Sequence, residues 1–150
     1  MQEENHKQIA GFLKNGDYQS ALDFLAKIEE KARNDSDYWY YSGHIARKMG
    51  DLKRAEIFCK KALELSPISR NANFEMGIIY QTAGEYKQAI LFLKKLVDNS
   101  SQDVHFTDMV DTLNSLALTY KKAGDGTTAL KYYNLALETL AQDVYEHIKG

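Results

Sequence analysis

Four short glycine-acid pairs recur through the chain in one phase: Gly16-Asp17, Gly50-Asp51, Gly84-Glu85 and Gly124-Asp125. The alanines that follow the first three, Ala21, Ala55 and Ala89, are 34 and 34 residues apart, and Ala129 comes 40 later, one period plus six. Gly43 and Gly77 share a second phase, seven residues ahead of their turn glycines. Self-similarity at a fixed period of this length confines the chain to an array of small helical units, none of which can bury its apolar stripe alone.

Apolar spacing is helical on both sides of each pair. Ile45, Ala46 and Met49 precede Gly50, and Leu52, Ala55, Phe58, Cys59, Ala62 and Leu63 follow it, so each set shares one helix face. Glycine just past a helix C-terminus can adopt φ > 0, and an Asp after it can accept N–H groups as the N-cap of the next helix. Glu85 is the weakest cap of the four. Asn34-Asp35-Ser36, Ser66-Pro67 and Asn99-Ser100-Ser101 mark boundaries between units. One Pro in 150 residues leaves little to interrupt helix. The pattern predicts helices near 3–15, 18–33, 37–49, 52–65, 70–83, 86–98, 104–123 and 126–147, and no sheet.

The period and its residues resemble the tetratricopeptide repeat. Repeat two carries Trp39, Ser42, Gly43, Ala46, Ala55, Cys59, Ala62 and Pro67; repeat three Asn73, Met76, Gly77, Tyr80, Ala89, Leu93 and Leu96; repeat four Leu113, Leu116, Ala117, Tyr120, Ala129, Tyr133 and Ala136. Repeat one, with Asn5, Gln8, Ile9, Phe12, Ala21, Leu25 and Ile28, is the most degenerate. The resemblance implies an all-α fold, an alpha-alpha superhelix: a right-handed solenoid of about eight antiparallel helices in a single domain over 1–150. Repeats fall at about 2–35, 36–69, 70–103 and 104–143, with the last helix running to about 148. The six added residues, roughly Val104 to Met109, are expected to lengthen the first helix of repeat four by about one and a half turns.

In such arrays, the resemblance implies, the first helix of each repeat lines a concave groove. Its lining positions here include Tyr40, His44, Arg47 and Lys48 in repeat two, Phe74, Ile78 and Gln81 in repeat three, and Asn114, Leu118, Lys121 and Lys122 in repeat four. Tyr40, Phe74, Ile78 and Leu118 give an apolar centre, while the cations gather at the helix C-terminal ends. A module holding a peptide or helical segment of a partner protein, apolar with acidic residues, is the function expected. The competing account of the rings is ordinary packing between neighbouring first helices, with Lys and Arg solvating helix ends where the dipole favours cations. The alternative function is a structural scaffold or self-associating subunit, a homo-oligomer formed through terminal helices. The last helix carries Leu130, Tyr133, Leu137, Leu140, Val144 and Ile148 with nothing after it to cover them. The clamp that grips the carboxylate tail of heat-shock chaperones is not matched in either register.

Other chemistries find little support. Lys+Arg is 19 against Asp+Glu 21, a net charge of −2, which lacks the basic footprint of a nucleic-acid binder. His6, His44, His105 and His147 are dispersed, with no His or Cys at i+3 or i+4, so no metal site is expected. The lone Cys59 sits at a large-apolar repeat position and reads as core. No nucleophile elbow, dinucleotide fingerprint or P-loop occurs, so neither an enzyme nor a cofactor is expected. With no run of 18 apolar residues and a polar, acidic N-terminus, membrane insertion is not expected and the placement is cytoplasmic.

Overall fold

The structure, a computed structural model, describes residues 1–99 and 106–149. They form α1 (Glu3–Lys14), α2 (Tyr18–Ala32), α3 (Ser36–Lys48), α4 (Leu52–Leu65), α5 (Arg70–Thr82), α6 (Tyr86–Asp98), α7 (Phe106–Lys122) and α8 (Gly126–Lys149). No strand occurs among the described residues. The helices fall where the apolar spacing puts them, within two residues at each described end. Val104 and His105, the expected start of the lengthened helix, lie outside the described residues. Even so, α7 has 17 residues against 12 or 13 for α1, α3 and α5, so the added residues do extend a first helix.

Each glycine turn is built in the same way. At the end of α3 the Gly50 N–H donates to Arg47 O and the Asp51 N–H to Ala46 O, the crossed pair that satisfies two orphan carbonyls. This closure needs a residue in the left-handed region, and Gly50 has φ +87°. The turns at Gly16, Gly84 and Gly124 repeat both bonds and the positive φ. The acid then starts the next helix. Asp17, Asp51 and Asp125 each accept a hydrogen bond from the backbone N–H three residues on, Ser20, Arg54 and Thr128, at 3.0 to 3.1 Å. Hydrogen bonding from the Ser20 and Thr128 side chains, and then from their backbone N–H groups, holds the Asp17 and Asp125 carboxyls below the usual carboxylate range. Glu85 makes no such bond, because its extra methylene carries the carboxylate past the donor. Glu85→Asp should therefore stabilise the protein by about 0.5–1 kcal/mol. Thermal unfolding checks this, and an unchanged or lowered melting temperature refutes the cap geometry.

Contacts divide the chain into two compact units, Met1–Ile79 and Tyr80–Gly150. In the first, Ile9, Ala21, Leu25, Ala32, Tyr38 and Ile45 form a buried cluster with Phe12, Phe24, Ile28 and Trp39 packed against it. Ala55, Cys59 and Ala62 of α4 are fully buried. Gly43 of α3 faces them so closely that a Cβ built on it would lie 2.4 Å from Cys59 Sγ and 3.1 Å from Ala55 O. In the second, Leu113, Leu116 and Ala117 of α7 and Ala129 and Ala136 of α8 are buried. Tyr120 and Tyr132 stack at 5.5 Å and 9° between α7 and α8.

Candidate functional site

In the first unit α3 carries Tyr40, His44 and Arg47 on one face, at i, i+4 and i+7. The chemistry of that face is decided by a residue the repeat pattern did not single out. Glu75 of α5 has a side chain only 3% exposed, and a carboxylate so placed is costly unless paired and hydrogen-bonded. His44 Nδ1 lies 2.9 Å from Glu75 Oε2, Arg47 Nε donates to Oε1, and Arg47 Nη2 reaches Oε2 at 3.5 Å. Burial alone would raise the Glu75 carboxyl, but the hydrogen bonds and charges of His44 and Arg47 outweigh it and hold the group below the usual range. His44 and Arg47 are thus engaged within the fold.

One repeat earlier the same device recurs, a turn lower. His6 Nε2 of α1 is 3.4 Å from Asp37 of α3, and His6 Nδ1 is 3.1 Å from Tyr41 Oη. In both cases the acid follows the histidine by 31 residues. That spacing was the available signal for Glu75. The Tyr41 ring contacts Tyr40 at 5.0 Å, and Tyr40 contacts His44 at 6.1 Å. Burial and the nearby Glu75 charge push the Tyr40 hydroxyl far above its ordinary range. Burial likewise raises the Cys59 thiol and leaves no reactive thiolate. Phe74 and Ile78 of α5 are half-buried, and Lys48 is exposed at the end of α3.

In the second unit Gln81 departs from the expected surface role. It is 8% exposed, and its amide donates to Ser115 O at 3.0 Å and Thr119 Oγ1 at 2.7 Å. A buried amide must find such partners, and its bonds are used in the fold. Asn114, Leu118, Lys121 and Lys122 of α7 are all exposed, at i, i+4, i+7 and i+8 of one face. Among the described residues no group of three or more His, Cys, Asp or Glu side chains could hold a metal ion, and no helix is long and apolar enough to cross a membrane.

Helix pairs closed by glycine turns, with small residues at each close contact, define a tetratricopeptide-repeat protein, a fold that serves as a protein–protein interaction module. More particularly, residues 14–141 match the family described as the Cilia and flagella-associated protein 70 middle TPR-like domain, and the chain belongs to that family. It is 28% identical over 142 residues to Tetratricopeptide repeat protein 29 of Homo sapiens, covering 87% of this chain and 28% of the relative. TPR repeat-containing protein MJ1428 of Methanocaldococcus jannaschii is also 28% identical, over 81% of this chain and 21% of its own length. The chain thus spans about a quarter of these relatives. Among solved structures, MamA superposes with a TM-score of 0.76 at 20% identity, covering 93% of this chain and 78% of that one. TTC0263 of Thermus thermophilus, a thermophilic TPR protein, gives 0.75 at 20% identity, covering 94% and 75%. At such identities the likeness shows the fold.

Proposed function

We propose that the chain is an interaction module whose first helices hold an extended or helical partner segment bearing large apolar side chains beside Asp or Glu. The observation that carries this reading is the face of α7, where Leu118 stands 37% exposed among Asn114, Lys121 and Lys122. A large apolar side chain left in water amid uncommitted polar and basic groups suits a partner that buries it and offers carboxylates to the lysines. Within the first unit, Phe74 and Ile78 of α5 are half-buried and Lys48 is exposed at the end of α3, and these are the residues of that unit to test for the same chemistry. Arg47 contributes less charge, since Glu75 already neutralises it.

The matching family is named for a protein associated with cilia and flagella, so proteins of those organelles are the first partners to test. The full chain would capture its partner, and a synthetic peptide from the captured region would then be titrated against Leu118→Ala and Phe74→Ala variants. Each substitution should weaken binding by about 1–3 kcal/mol while leaving circular dichroism unchanged. Replacing Lys121 and Lys122 by Gln should slow association and flatten its salt dependence, because exposed charges act on encounter over about 8 Å at physiological salt. Lost stability with unchanged affinity in both apolar variants would overturn the reading in favour of packing.

A further inference from the structure

We infer that a cleft between α2, α3 and α4 takes one aromatic side chain, Tyr or Phe, from an acidic segment of a partner protein. The observation behind it is a ring that one repeat does not carry. Phe12, Tyr80 and Tyr120 stand at one repeat position, and the same position of the second repeat holds Ala46. Each of the three rings meets an aromatic of the second helix of its own repeat: Phe12 and Phe24 at 6.3 Å, Tyr80 and Phe92 at 5.7 Å and 27°, Tyr120 and Tyr132 at 5.5 Å and 9°. Phe58 is the corresponding aromatic of α4, and Ala46 offers it no ring. Trp39, elsewhere on α3, meets Phe58 at 5.7 Å, yet a cleft of about 280 Å³ stays open beside Ala46.

Leu22, Ser42, Ala46 and Phe58 line that cleft. Ser42 adds to its space, since the third and fourth repeats put Met76 and Leu116 at the same position. The Ser42 hydroxyl is spent on Tyr38 O at 2.8 Å. Two small residues one turn apart thus leave open the place where the sister repeats put a ring. The volume falls short of the roughly 300–1,000 Å³ of a small-molecule pocket and suits a single side chain. An aromatic one fits best, because it can stack on Phe58 as Tyr80 stacks on Phe92. Met49, 54% exposed at the end of α3, also lines the cleft, and its flexible thioether can close against the edge of the ring.

Charge names the neighbours of that ring. Asp51 and Arg54 complete the lining. The Asp51 carboxylate is committed to the α4 cap, accepting from the Arg54 N–H at 3.1 Å. The Arg54 side chain is 74% exposed, with Nε 3.5 Å from Asp51 Oδ2. A carboxylate next to the incoming ring would complement that guanidinium. Residues 42, 46 and 49 lie on the side of α3 opposite Tyr40, His44 and Arg47, as helical spacing requires. The cleft is therefore separate from the first-helix faces and stands without them.

Titration of the full chain with capped Asp-Tyr-Glu, followed by NMR, tests the inference. The parent should show saturable shifts centred on Ala46, Met49 and Phe58. Capped Asp-Leu-Glu should bind about fivefold more weakly, for want of stacking, and capped Asp-Ala-Glu should leave those signals unmoved. Ala46→Tyr supplies the ring from within, so it should raise the melting temperature by about 2–5 °C and weaken the Tyr peptide by at least about tenfold. Arg54→Gln should weaken it several-fold and flatten its salt dependence with the melt unchanged. Shifts that do not saturate or are scattered over the chain, an equal response to the Ala peptide, or unchanged binding by Ala46→Tyr overturns the inference. A melting temperature of Ala46→Tyr below that of the parent overturns it as well, since the cleft would then not accept a ring. Unchanged binding by Arg54→Gln overturns the acidic character of the segment. A parent dimer that Ala46→Tyr abolishes in sedimentation would put a second copy in the cleft and overturn the partner assignment.

Discussion

Glu75→Ala should lower stability by about 3 kcal/mol, or roughly 6–12 °C in melting temperature for a chain of this size. Removing one member of a buried ion pair leaves the other desolvated, which costs about 3–5 kcal/mol when no relief is available. Here the side chains of Arg47 and His44 are 16% and 19% exposed and can turn partly to water, which places the expectation at the lower end. The effect has a definite pH dependence. Because the folded carboxyl is held below its ordinary value, ionised Glu75 contributes stability that is fully present above about pH 5 and is lost as pH falls through the folded value. The gap between the parent and Glu75→Gln should therefore close on acidification below about pH 4. Thermal melts of the two proteins from pH 3 to pH 7 measure it. A gap that stays constant or widens toward acid would show that the carboxylate is not stabilised in the fold.

Gly43→Ala should cost about 1–3 kcal/mol, a large penalty for a single methyl on a helix where Ala is otherwise preferred to Gly. The intrinsic helix preference would favour Ala by about 1 kcal/mol, so the sign of the result separates contact from propensity. Contact should win, because the new Cβ would lie 2.4 Å from Cys59 Sγ, 3.1 Å from Ala55 O and 3.3 Å from Cys59 N. Two of those three atoms are backbone and cannot swing aside. Adding Cys59→Ala should recover part of the loss by removing the sulfur, with the backbone contacts keeping the rest. Denaturant unfolding of the two single variants and the double variant gives the coupling between the sites. A Gly43→Ala protein more stable than the parent would mean that α3 and α4 do not approach so closely.

Much of this molecule was legible without coordinates. The 34-residue phase places all eight helices, since each glycine-acid pair specifies both the end of one helix and the start of the next through local hydrogen bonds. The weak cap at Glu85 follows from side-chain length alone. Gly43 stands in a repeated phase where no turn requires glycine, and the structure supplies the reason in its close approach to Ala55 and Cys59. All these properties depend on residues near in sequence or one repeat element apart, where a periodic pattern carries the information.

The chemistry of the inner faces was different, because it depends on which side chains meet across a repeat boundary. His44 and Arg47 read as groove residues by position, and only the tertiary structure shows Glu75 reaching between them from the next first helix. Gln81 likewise reads as a contact residue until its amide is seen on Ser115 and Thr119. A repeat position specifies the direction of a side chain, whereas its exposure depends on the partners the neighbouring helix supplies. The sequence determined the helices, their caps and their close contacts by local hydrogen bonding and periodic burial. Tertiary packing decided which polar groups remain for a partner, because a buried charge or amide must be satisfied within the fold before anything else can use it.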